Sequence, residues 1–211
     1  VTRTQSKLSI ARLRSERLLL NILPASIAQR LKQQEGKIAD HYEQASICFL
    51  DLENFSLSAK TLKPEELVDM LDDIFSLFDQ LSQLHGLEKI KTIGDGYMAA
   101  AGVPDANSSH ALQCCAYALA AKHAFASLQS KYQLKTGLRI GIGSGEVVAG
   151  VIGRSKFCYD LWGEAVTLAA RMESHGLGDR IQVTQFTYEM AKHKFHFCAR
   201  GEISVKGLGQ I

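Results

Sequence analysis

The 211 residues contain no apolar run near the ~20 positions that a membrane-spanning helix needs, and no signal peptide is visible. The seven histidines are scattered, with no HExxH or comparable ligand spacing. The five cysteines, Cys48, Cys114, Cys115, Cys158 and Cys198, are odd in number and two are adjacent. No CxxC occurs among them, which argues against both a disulfide framework and a zinc site. Free thiols fit a reducing, cytoplasmic setting. The formal net charge of +2 is too small to draw nucleic acid or a membrane surface. Gly141-Ile142-Gly143-Ser144-Gly145 has the wrong spacing for a dinucleotide fingerprint. It reads instead as a strand bend that lets backbone approach closely. Neither an internal repeat nor a low-complexity tract is present.

What remains is an ordinary globular composition, 46% hydrophobic and 22% charged, sufficient for one large core with an appendage. The appendage is expected over residues 1–43. Leu8, Leu13, Leu18, Leu19, Leu20, Ile22 and Leu23 form an apolar seam among charged residues, and Ile27 and Leu31 continue it beyond Pro24. Such a stripe needs a partner. A short parallel coiled coil with a second copy is one use, and packing on its own domain is the other. Position 1 is a valine and the helical pattern starts at once. The chain is therefore expected to be a piece of a longer protein, with a sensor or membrane region upstream.

Residues 44–211 read as a second unit. The pattern predicts strands at 45–52, 87–93, 97–102, 137–143, 157–161 and 181–183, and a strand or extended arm at 146–152. Helices are predicted at 64–85, 106–131, 163–174 and 185–192, and a terminal hairpin at 195–205. The expected class is α+β, a central, mostly antiparallel sheet with flanking helices, preceded by an N-terminal helix.

Lys91-Thr92-Ile93-Gly94-Asp95-Gly96-Tyr97-Met98 reads as a β-hairpin with a carboxylate at its tip. A second carboxylate, Asp51, closes the apolar strand Ala45–Leu50. Singly, each aspartate suits a turn or cap. Together they offer the hard oxygens that Mg²⁺ prefers, and two bridged ions can activate a hydroxyl and stabilise a leaving pyrophosphate. Thr167 and Arg171 share a helical face. Asp160 lies on a strand, and Lys206 stands in a glycine-flanked loop suited to triphosphate contact. Singly, Arg171, Asp160 and Lys206 also suit ordinary solvated roles.

In this order, Phe49-Leu50-Asp51, Lys91–Asp95, Gly145–Gly150, Tyr159–Gly163, Ala169–Met172 and Val205–Gly207 resemble the class III nucleotidyl cyclase catalytic domain. The similarity runs from about residue 44 to the end. Ser15–Pro24 resembles the helical transducer that precedes many such domains. The resemblance implies a cyclase fold related to the ferredoxin-like and palm folds. It also implies attack of a ribose 3′-hydroxyl on its own α-phosphate, giving cyclic nucleotide and pyrophosphate. Asp51 and Asp95 match the two metal aspartates, for two Mg²⁺ or Mn²⁺ ions, and Leu52 matches a position whose carbonyl helps hold one ion. Lys91 and Asp160 match the base-selecting pair, Arg171 the arginine at the reacting phosphate, and Lys206 the lysine at the terminal phosphates. The active unit implied is a head-to-tail homodimer with shared sites.

A lysine donor beside an aspartate acceptor complements adenine N1 and N6, whereas guanine reverses both groups. ATP is the expected substrate. Guanylyl cyclase activity and a catalytically silent nucleotide-binding module are the alternatives. Thr167 departs from the family, which usually has asparagine there to orient the ribose. Reduced but real activity is the expectation.

Overall fold

The computed structural model describes residues 20, 22–33, 36–55, 60, 62–153, 155–205 and 209–210. Leu8, Leu13, Leu18, Leu19 and Lys206, with the roles read for them, lie outside the described residues.

Two long strands make the frame. β1 (Ala39–Leu52) and β4 (Leu138–Ile152) pair antiparallel from end to end, with Ala39 opposite Gly150 and Leu52 opposite Leu138. The hairpin β2 (Glu88–Ile93) and β3 (Gly96–Ala101) adds to the other side of β1. Two short strands share the far edge of β4. β5 (Cys158–Trp162) runs antiparallel along its second half, and β6 (Arg180–Val183) runs parallel to its first. The order is β2-β3-β1-β4-β5, with β6 beside β4. The expected strands at 137–143 and 146–152 are thus one continuous strand, and the strand expected at 45–52 begins at Ala39. The terminal hairpin is shorter and later than expected. Only β7 (Ser204–Val205) and β8 (Gly209–Gln210) pair, and 195–203 forms no strand.

Helices cover both faces of this mostly antiparallel sheet. α2 (Pro64–His85) has proline in its first turn, Glu65 and Glu66 at its positive end, and Gly86 at φ +71° closing it. It buries Met70, Ile74, Phe78 and Ser82, one residue per turn. α3 (His110–Tyr132) lies beside it, burying Tyr117, Ala121 and Phe125. Both pack with Cys48, Leu50, Leu52, Tyr97 and Ala99 on one face of the sheet. The helix α5 (Gln185–Ala191) closes that side with Ala191.

The opposite face carries α1 (Ala25–Lys32) and α4 (Glu164–Ser174) over Ala45, Ile47, Met98, Val147, Ala149, Tyr159 and Leu161. Leu23, Ile27 and Ala28 are buried in this cluster and Leu31 packs against it. The part of the apolar seam beyond Pro24 is therefore used within the chain. Leu20 and Ile22, just before Pro24, are exposed. Among the described residues no helix is long and apolar enough to cross a membrane.

Candidate active site

Strand register places the first carboxylate. Leu50 pairs with Tyr97 on β3, which brings Asp51 level with Gly96 and the hairpin tip. A Cβ at Gly96 would sit 3.5 Å from Asp51 Oδ1. The hairpin loop has two residues, Gly94 and Asp95, since Ile93 pairs with Gly96. The dipeptide that suggested a turn, Asp95-Gly96, is therefore offset by one residue. Gly94 takes φ +61° at the first loop position, where a two-residue hairpin of type II′ uses glycine, and Gly96 belongs to β3. Asp95 is thereby held at the tip beside Asp51. Burial, and then the negative charge of Asp51, raise its pKa.

Two further residues complete the cluster, and the sequence reading missed both. Arg139 stands directly opposite Asp51 in the β1–β4 register and donates from Nη2 to Asp51 Oδ2 at 2.6 Å. Its Nε lies 2.9 Å from Glu173 Oε1 of α4. Glu173 is pushed up to about 7, first by burial and then by Asp51, against the pull of Arg139. A signal existed in the sequence: Arg139 is a charged residue inside the apolar strand run 138–142. Its partner was invisible without the strand register.

Leu52, the next residue of β1, has its side chain buried in the core, so only its main chain can face an ion. Among the described residues, no group of three or more His, Cys, Asp or Glu is placed to hold a metal. The carboxylates come as a pair, Asp51 and Asp95. Hard divalent ions such as Mg²⁺ fit that donor set. They take one or two carboxylates and complete their shell with carbonyl, water and phosphate oxygens.

A second pair forms where two ends of the sheet meet. Lys91 Nζ donates to Asp160 Oδ2 at 2.5 Å, and Asp160 Oδ1 accepts from the Leu161 amide at 2.9 Å. β2 and β5 are opposite edges of the sheet order, so this contact needs two irregularities. An extra residue between Tyr42 and Ala45, with Gly145 at φ +151° across from it, bends β1 and β4. Beyond this irregularity β5 pairs with β4 and touches β2. The second irregularity is a register shift at Ile90. Lys89 bonds to Asp79 of α2 on one face. Strict alternation would send Lys91 to that face too. The bulged Ile90 reverses it, and Lys91 meets Asp160 on the other.

α4 carries Thr167 and Arg171 on one face. Thr167 is exposed, and its hydroxyl donates weakly to Gly163 O at 3.4 Å, back into its own helix. The Arg171 guanidinium makes no hydrogen bond or ion pair among the described residues. One chain thus brings Asp51 to Asp95 and Lys91 to Asp160, and bonds Thr167 and Arg171 to neither pair.

α4 sits low on β4 because the strand has no side chains there. A Cβ on Gly141 would fall 2.0 Å from Glu173 N, and one on Gly143 would fall 2.6 Å from Ala165 O. The close backbone approach read from these glycines is real, and its partner is this helix. The bend itself lies at Gly145.

Residues 38–211 match the family described as adenylate and guanylate cyclase catalytic domain. An adenylate cyclase of Mycobacterium bovis is 46% identical over 197 residues, which are 93% of this chain and 44% of that protein. The chain thus spans less than half the length of that relative. The soluble guanylate cyclase subunit beta-2 of Rattus norvegicus is 36% identical over 209 residues, 97% of this chain and 30% of its own. Among solved structures, the catalytic core of a rhodopsin-guanylyl cyclase with converted specificity, in complex with ATPalphaS, superposes with a TM-score of 0.78. It is 31% identical and covers 82% of this chain and 94% of that one.

Proposed function

The chain belongs to the adenylate and guanylate cyclase catalytic-domain family, and from that premise we propose that it converts ATP to 3′,5′-cyclic AMP and pyrophosphate. The observation that carries this reading is the pair of preformed clusters: two adjacent carboxylates at strand tips, and a lysine donor bonded to an aspartate acceptor. Two divalent ions, Mg²⁺ or Mn²⁺, would be held by Asp51, Asp95 and the Leu52 carbonyl. When bound, they supply activation of the 3′-hydroxyl and charge neutralisation on the phosphates.

Lys91 and Asp160 read the base. Adenine presents acceptor N1 beside donor N6, matching the ammonium and carboxylate that already face each other. The identity to the adenylate cyclase relative favours the same substrate. GTP is the second reading, because guanylate cyclases are also close relatives. Arg171 binds charge developing on the transferring phosphate, and Lys206 binds the terminal phosphates. Thr167 stands where the ribose is oriented. Because Arg171 and Thr167 are bonded to neither cluster in one chain, a homodimer supplies them across its interface. The segment before Pro24 serves as a signalling coiled coil that couples an upstream sensor or membrane region to that dimer.

The test is incubation with ATP or GTP and Mg²⁺ or Mn²⁺, followed by product chromatography. Cyclic AMP is expected, and Asp51→Ala or Asp95→Ala lowers its yield by at least about a hundredfold. No cyclic product at any protein concentration would favour the silent nucleotide-binding module. Cyclic GMP in excess would reverse the assignment of the base.

A further inference from the structure

Asp51 already has a cation. Its Oδ2 is held by the Arg139 guanidinium at 2.6 Å, while its Oδ1 faces the hairpin tip. A divalent ion held by Asp51 would stand close to the Arg139 guanidinium, and two cations on one carboxylate repel each other. Arg139 cannot shed its charge, so that repulsion is relieved by moving it.

Glu173 gives it somewhere to go. Its Oε1 lies 2.9 Å from Arg139 Nε, yet both atoms are buried and neither makes an aligned hydrogen bond. The Asp51 side of the fork is well made and the Glu173 side is under-used. A guanidinium offers five donors in a fixed fork. A small turn of that fork would align it on Glu173 and release Oδ2. All three groups are shielded, with side-chain exposures of 24% for Arg139, 25% for Asp51 and 13% for Glu173. The exchange would therefore take place largely out of water, where leaving a charge unpaired is costly.

We propose that Arg139 is the resident counter-cation of Asp51 and is handed to Glu173 when a divalent ion enters. Glu173 is then a positioning residue that acts on the ion site through Arg139. This inference rests on the assignment of Asp51 as an ion ligand.

Direct titration of the protein with Mn²⁺ alone, reading free Mn²⁺ by electron paramagnetic resonance, tests it without turnover. The double variant Arg139→Gln/Glu173→Gln removes one charge of each sign, so the net charge is unchanged. It should bind Mn²⁺ roughly three- to tenfold more tightly, because the occupant of Oδ2 is gone. Glu173→Gln alone leaves Arg139 with Asp51 as its one ion-pair partner among the described residues and should weaken Mn²⁺ binding by about threefold. A folded double variant with unchanged or weaker binding overturns the exchange. If circular dichroism shows that the double variant is unfolded, Arg139→Lys decides. Lysine keeps the charge but cannot span both carboxylates with separate nitrogens, so it cannot be handed over and should weaken Mn²⁺ binding as Glu173→Gln does. Weaker binding then supports the exchange, and unchanged or tighter binding overturns it. Asp51→Asn separates the two levels. If it leaves Mn²⁺ binding intact, the assignment of Asp51 fails. If it abolishes binding while the Arg139 and Glu173 variants change nothing, only the exchange fails.

Discussion

Under the proposed function, Thr167 limits the rate. Its hydroxyl points back at Gly163 O and its side chain is too short to reach far from α4. One missing hydrogen bond at a reacting centre costs on the order of 10²-fold. Thr167→Asn should therefore raise turnover, and unchanged or lower kcat would show that the position is already adequate. Glu173 makes a prediction in pH. Its pKa rises from the ordinary value of 4.5 to about 7 on folding. Between those values the folded chain binds a proton that the unfolded chain has released, so stability falls as pH rises through that window and levels off above it. Thermal melts of the metal-free protein should show this decline. Glu173→Gln should flatten it; parallel slopes for the two proteins would contradict the assignment.

At the scale of elements, α4 and β4 act as one unit. Gly141 and Gly143 let the helix backbone rest on the strand, and this contact sets where Glu173 meets Arg139. Gly141→Ala forces a Cβ against the Glu173 amide and the Ala169 carbonyl, 2.0 and 2.5 Å away. Backbone on both sides cannot yield as a side chain does. The variant should lose at least about 3 kcal/mol in urea unfolding, with cyclase activity falling as well. A loss below about 1 kcal/mol would mean that helix and strand can separate without cost. The hairpin shows a different device: one extra residue, Ile90, turns Lys91 from the α2 face to the face where Asp160 waits.

On the scale of the whole molecule, exposed apolar side chains gather on one arm of the sheet. The β4–β5 arm exposes Val148 opposite Trp162, with Ile152 and Phe157 nearby. If sites are shared between two chains, specific activity should climb with protein concentration until the dimer saturates. Trp162→Ala should move that climb to higher concentration. A flat activity profile from a particle of monomeric mass by light scattering would refute shared sites.

Much of this was legible in the residue order. Proline and acids in its first turn marked α2 over Pro64–His85, because capping chemistry is local. The apolar runs marked most strands within a residue or two, and the motifs containing Asp51, Asp95, Lys91 and Asp160 identified the family. Local chemistry could not say that the runs at 137–143 and 146–152 are one strand, since Gly145 looks like a break in sequence and is only a bend in space. It could not reveal Arg139 and Glu173 as neighbours of Asp51. Those contacts depend on strand register and on how low a helix rests on two glycines, and both are set by packing between segments distant in the chain.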